Sequence, residues 1–192
     1  MGAFDLALRL AGIESRTVCY VEWDQYCQQV LRQRQIDGFL DDAPIFGGDI
    51  RKFDGLPWRG RVDIISASPP CQPYSVAGKR QGSEDNAGRN LFPDTLRLVS
   101  EIRPKTVYLE NVPGVQSKPR DERPVYASEV VGHLASLGYD CRWNITSAAD
   151  AGANHLRKRW WLVANAQCDQ DMAQHRANSG SSGQRGQPLE AR

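Results

Sequence analysis

Val62-Asp63-Ile64-Ile65-Ser66-Ala67-Ser68-Pro69-Pro70-Cys71-Gln72-Pro73-Tyr74-Ser75 is the stretch that decides the fold. Its first half is a short apolar run bounded by turn residues, and it reads as a buried strand. Its second half reads as a loop. Two prolines fix φ and remove two backbone donors, so the approach to Cys71 is stiff. A cysteine just past a strand's C-terminal end stands where open α/β sheets bind ligands. A thiol held over a cleft on a stiff loop suits a positioned nucleophile. The plainer reading of the same residues is a buried cysteine beside a proline turn.

Working outward, strands and helices alternate. Phe4 to Leu10 has apolar residues at helical spacing, and Gly12 can end that helix. Thr17 to Val21 reads as a strand closed by Glu22, and Asp24 can cap a helix running to Arg34. A loop rich in Asp, Pro and Gly leads to Gly48-Asp49-Ile50. Residues 77–90 are polar and carry Gly78, Gly82 and Gly88, so they read as a mobile loop. A helix from Leu91 to Ile102 presents Phe92, Leu96, Val99 and Ile102 on one face. Thr106 to Leu109 is a buried strand running into Glu110-Asn111-Val112-Pro113-Gly114. A helix from Pro124 to Leu137 stops at Gly138, and strands follow at Tyr139–Ile145 and Trp160–Ala164. This alternation predicts the α/β class, with a doubly wound, mostly parallel sheet. The reading assigns residues 1–164 to one domain. Over residues 165–192 Gly, Ser, Gln and Asn dominate, and such a tail cannot bury enough surface to offset its ordering entropy. It reads as disordered or as a linker.

The chain's 192 residues allow one domain with a sizeable core, and its 40% hydrophobic and 24% charged content is ordinary for a globular protein. A net charge of +1 gives no argument for nucleic-acid binding from overall charge, so any basic surface must be local. The local candidates are Lys79-Arg80, Lys118 with Arg120 and Arg123, and Arg157-Lys158-Arg159. The five cysteines are odd in number and form no CxxC pair, which argues against a disulfide framework and against a zinc site. No apolar run approaches the roughly 18 residues of a membrane span, and no signal-peptide pattern is present. A reducing, cytoplasmic setting is expected.

Chemistry gathers at successive strand ends: Glu22-Trp23, Asp49-Ile50, Pro70-Cys71-Gln72 and Glu110-Asn111. An acidic residue at such a strand end, as Glu22 is, can bind ribose hydroxyls. Trp23 offers a flat face for a base, and Asp49 can accept from an exocyclic amine. Each alone is as well explained by solvated surface; together they suit an adenosine-type cofactor.

The run Pro-Pro-Cys-Gln-Pro-Tyr-Ser at 69–75, Glu-Asn-Val-Pro-Gly about 40 residues on, and Arg-x-Arg at 157–159 resemble the DNA cytosine-C5 methyltransferase family. Phe4-Asp5-Leu6-Ala7-Leu8, Glu22-Trp23-Asp24, Gly48-Asp49-Ile50 and Asn90-Leu91-Phe92 are similar too, so the resemblance spans residues 2–165. It implies a Rossmann-like S-adenosylmethionine-dependent fold. By it, Cys71 attacks C6 of a cytosine flipped out of double-stranded DNA. Glu110 binds the cytosine N3 edge and exocyclic amine, while Arg159, with Arg157 beside it, holds O2 and orients the carboxylate. S-adenosyl-L-methionine would lie on Gly2, Phe4, Glu22 (ribose), Trp23, Asp49, Ile50, Pro70 and Leu91. Gln72, Ser75 and Lys79 would sit on a loop closing over DNA. The resemblance also implies a bacterial or phage source and a cognate restriction endonuclease, or a second polypeptide carrying target recognition.

The family usually has Gln where His155 stands, and often Gly where Ser68 stands. The chain begins inside the family's first glycine-rich turn. A first strand, expected between the strands at Val18 and Ile64, is not in the sequence, and neither is a target-recognition region. Other readings are an inactive fragment, one subunit of a split methyltransferase, or an RNA cytosine methyltransferase.

Overall fold

The computed structural model of the chain describes residues 2–70, 90–117 and 125–167. Helix α1 (Ala3–Leu10) opens on Gly2, whose backbone is left-handed at φ 73°. A Cβ there would stand 2.5 Å from the Leu40 side chain, so glycine is needed for both conformation and space. Strand β1 (Tyr20–Val21) follows, then helix α2 (Gln25–Ile36). Asp24 caps α2, its carboxylate accepting from the Cys27 amide at 2.8 Å, as the sequence predicts. Strand β2 (Ile45–Phe46) pairs in parallel with β1, Tyr20 opposite Ile45 and Val21 opposite Phe46. The sequence reading has only a loop here, because a two-residue strand carries no alternation to detect.

The larger sheet begins with β3 (Ile64–Ala67), paired in parallel with β4 (Thr106–Asn111). Helix α3 (Phe92–Ile102) lies between them in sequence and crosses over the sheet. Its expected apolar face is its buried face: Phe92, Leu96, Val99 and Ile102 are all buried. Helix α4 (Tyr126–Ser136) ends ahead of Gly138, whose φ of 84° turns the chain into β5 (Tyr139–Thr146). Strand β6 (Arg159–Ala166) completes a sheet of order β3-β4-β6-β5.

β6 runs antiparallel to both β4 and β5. No α-helix separates it from β5, and a strand that returns without a helical crossover must reverse direction. It also runs to Ala166, two residues past the strand end read from the sequence; residues 168–192 of the expected tail lie outside the described residues. Alternate residues of β4 and β6 (Val107, Leu109, Trp160, Leu162, Ala164) are essentially inaccessible and pack with α3 and α4. The opposite face of β4 is met by α1, where the Phe4 and Tyr108 rings lie 4.7 Å apart. Among the described residues the β1–β2 pair shares no ladder with the larger sheet. Nor is any helix among them long and apolar enough to cross a membrane.

Candidate active site

Parallel strands of an α/β sheet deliver their C-terminal ends to one rim. Here β4 ends on Glu110-Asn111, β3 ends just before Ser68, and the antiparallel β6 begins at that same rim with Arg159, because Asn111 stands opposite Trp160. Three chemistry-bearing side chains are thereby brought together. The Glu110 carboxylate receives Arg159 Nε on Oε1 at 2.7 Å and the Ser68 hydroxyl on Oε2. Both members of the ion pair are about four-fifths buried, with 23% and 22% exposure, so the pair is less screened than a surface bridge. With both oxygens engaged, the carboxylate has one orientation.

Next to it, buried Asn111 donates from Nδ2 to the Pro69 carbonyl at 3.2 Å and accepts from the Val112 amide at 2.8 Å. One amide thus ties the β4 end to the proline loop that leads into Cys71. Cys71, Gln72, Ser75 and Lys79 themselves lie outside the described residues, as does most of the loop expected over 77–90. Pro70 is described and exposed. The three described cysteines, Cys19, Cys27 and Cys141, are free thiols. Burial pushes Cys141 up to about 11 and raises Cys19 as well, so neither is a ready thiolate.

Arg157 is not gathered with Glu110. It is exposed, and its backbone takes φ 27°, which is rare for a side-chain-bearing residue. Among the described residues the cation paired with Glu110 is Arg159.

A second group lies at the ends of β1 and β2. Glu22 follows β1, its amide bonded to Phe46 O at 3.1 Å and its Oε1 accepting from the Asp24 amide at 2.9 Å. The Trp23 indole is 70% exposed and lines an open pocket of about 490 Å³ with Tyr26, Gln28, Gly47 and Gly48. Gln28 donates to the carbonyls of Glu22 and Trp23 at 2.9 and 3.2 Å, which fixes the turn carrying both. The glycines keep the backbone bare: a Cβ at Gly47 would meet Gln28 Oε1 at 2.7 Å, and one at Gly48 would meet the Phe46 ring at 2.8 Å. An accessible indole face beside bare backbone, with an acidic side chain at the strand end, fits a nucleoside.

Asp49 is engaged within its own turn. Its carboxylate accepts from Arg51 Nε at 2.9 Å and pairs with Arg51 Nη2 at 2.6 Å. That side-chain hydrogen bond is the main reason its carboxyl lies below the usual range. Ile50 starts the turn Ile50–Lys52, and Leu91 caps α3 without a side-chain bond. Phe4 spends its ring on Tyr108. Sequence reasoning missed the roles of Ser68, Gln28 and Arg51. Ser68 was visible as a departure from a glycine, and Gln28 one turn after the Asp24 cap was the signal for the second.

Comparison with known proteins bears on the family and the fold. The family model for C-5 cytosine-specific DNA methylase matches residues 1–185. The Type II methyltransferase M.NgoMIV of Neisseria gonorrhoeae is 36% identical over 163 residues, covering 85% of this chain and 48% of that protein. M.CviJI of Paramecium bursaria Chlorella virus IL3A is 33% identical over 155 residues, covering 81% of this chain and 38% of that protein. The chain therefore spans about half the length, or less, of these curated relatives. In fold it is similar to a crystal structure of Spodoptera frugiperda DNMT2, with a TM-score of 0.65 at 18% identity over 86% of this chain and 47% of that one. The motifs at the sheet rim and the match over residues 1–185 have one consequence: the chain belongs to the C-5 cytosine-specific DNA methylase family.

Proposed function

We propose that this chain carries the catalytic chemistry of DNA cytosine-C5 methylation, with Cys71 as nucleophile and double-stranded DNA as substrate. The observation that carries the reading is the Ser68–Glu110–Arg159 cluster. It sits at the C-terminal rim, bound through Asn111 to the loop that enters Cys71. S-adenosyl-L-methionine supplies an electrophilic methyl group on its sulfonium, and Glu22, Trp23, Asp49, Ile50, Pro70 and Leu91 would hold its adenosine end, with Gly2 and Phe4 at its methionine end.

The Cys71 thiolate forms a bond to C6 of the flipped cytosine. The displaced electron pair moves through C5 and C4 toward N3, where Glu110 holds a proton against the developing charge. Arg159 fixes that carboxylate and reaches the base's O2; Arg157, exposed and away from Glu110, is left without a part in this contact. C5 would then bond to the methyl carbon as that carbon's bond to the sulfonium sulfur breaks, the neutral thioether leaving. Loss of the C5 proton to a base returns the electron pair to the ring, breaks the C6–S bond and releases the Cys71 thiolate. Gln72, Ser75 and Lys79 lie on the loop that closes over DNA. Target recognition is assigned to further polypeptide, in cis or as a second subunit, and a cognate restriction endonuclease accompanies the activity in this reading.

DNA carrying 5-fluorocytosine tests the assignment. Fluorine cannot leave as a proton does, so the full chain, with any recognition subunit supplied, becomes covalently attached to it. Denaturing electrophoresis should show the adduct with the parent chain and lose it with Cys71→Ser. An adduct that persists in Cys71→Ser would remove Cys71 from this role.

A further inference from the structure

We propose that Arg97 is a positioning residue for the adenosine end of the cofactor site, acting with Glu101 to hold the Ile50 turn at a set distance from Leu91. This rests on the reading of Asp49, Ile50 and Leu91 as cofactor walls. Arg97 lies in α3, six residues after Leu91, and faces the segment that follows β2. Its guanidinium donates from Nη2 to the Ile50 carbonyl at 2.8 Å and from Nη1 to the Phe53 carbonyl at 3.1 Å. Nη1 also meets both oxygens of Glu101, at 2.8 and 2.9 Å. Glu101 in turn accepts from the Gly55 amide at 2.9 Å. One ion pair, with side chains 33% and 22% exposed, therefore sews residues 50–55 to α3 at three backbone points.

The reason this matters lies in the strands. The turn at Ile50 hangs from β2, a two-residue strand that among the described residues pairs with β1 alone, and among them that pair has no ladder to the sheet against which α3 packs. Backbone pairing therefore does not set the position of Ile50 relative to Leu91. The turn's own bonds, from Lys52 N to Asp49 O and from Phe53 N to Ile50 O, fix its shape and not its place. The Phe46–Phe53 ring contact anchors it to β2, its own side of the gap. The guanidinium fork crosses that gap. A lysine would keep the charge but lose the planar fork that reaches two carbonyls and a carboxylate at once.

Calorimetric titration of the full chain with S-adenosylhomocysteine and with adenosine is the test. Arg97→Met should weaken both ligands by the same factor, about tenfold, because the lost bonds hold the segment carrying the adenosine wall and none reaches the methionine end. Arg97→Lys should weaken both by about threefold, being a partial rescue. Without ligand, the amides of Arg51, Lys52 and Phe53 should exchange faster in either variant. A lowered melting temperature with parental affinity for both ligands would make Arg97 a scaffold residue only and overturn the proposal. Loss of affinity for S-adenosylhomocysteine but not for adenosine would overturn it too. If Arg97→Met does not fold, Arg97→Lys decides: parental affinity and parental exchange rates in that variant overturn the proposal. A parent chain that binds neither ligand would overturn the cofactor reading and the proposed role with it, while the exchange rates would still report whether Arg97 holds the turn.

Discussion

Glu110 has a different partner on each carboxylate oxygen, a cation on one and a hydroxyl on the other. Under the proposed mechanism, Glu110→Gln keeps the shape but loses the proton-holding group, so turnover should fall by about 10²–10⁴-fold with little change in cofactor affinity. Transfer of labelled methyl to cytosine-containing duplex, set beside a titration with S-adenosylhomocysteine, separates the two quantities. An unchanged rate with weaker cofactor binding would move Glu110 to the cofactor site. Glu110 and Arg159 were legible as motif residues. The part of Ser68 was not, because its partner is 42 residues away and depends on the β3–β4 register. Asp49 was legible as a strand-end acid, but its pairing with Arg51 arises from the local turn and no pattern announces it. A third residue makes a pH prediction. Burial pushes the Cys141 thiol from 9.0 up to about 11, so the folded chain holds that proton more tightly than the unfolded one. Its contribution to stability is complete below about pH 9 and is lost as pH rises through 11. Melting curves across that window should fall for the parent chain and less steeply for Cys141→Ala.

Helices and strands were easier to read than their ends. The periodic helix face at Phe92, Leu96, Val99 and Ile102 was plain because packing selects 3.6-residue spacing, whereas β2 has two residues and no period. β6 was legible as a strand but not as an antiparallel one, since direction depends on what connects it to its neighbours. Its alternation yields a contrast in stability. Leu109→Ala on β4 opens a cavity in a fully packed site and should cost about 2–5 kcal/mol in urea unfolding. Trp161→Ala removes a side chain that is 43% exposed on the other face of β6, and should cost less, about 1–2 kcal/mol. If the two cost the same, the assigned core face is wrong. At the start of α2, the amide of Cys27 holds the Asp24 carboxyl below its ordinary range. A depressed folded value stabilises above the unfolded one, about pH 3.9, and that contribution is lost as pH falls further. Asp24→Ala should therefore lower the melting temperature at neutral pH and blunt its acid dependence.

Across the whole molecule, stability should be uneven. Among the described residues the β1–β2 pair has two residues per strand and no ladder to the larger sheet, while β4 and β6 pair over six positions within the buried core. Native-state hydrogen exchange should show Tyr20 and Glu22 amides opening well before those of Val107 and Leu109. Uniform protection would mean that the two sheets unfold as one unit. The order β3-β4-β6-β5 has a further consequence for how the chain is made. The sheet's last strand in sequence occupies an inner position, with Trp160 and Leu162 filling the core between earlier elements. On the ribosome, where synthesis runs at about 5–20 residues per second, α3, β4, α4 and β5 emerge first. Until residues 159–166 clear the exit tunnel, the edge of β4 stays unpaired and the apolar faces of two helices stay wet. Stalled chains ending before Arg159 should therefore be digested by protease at positions that chains extending well past Ala166 protect.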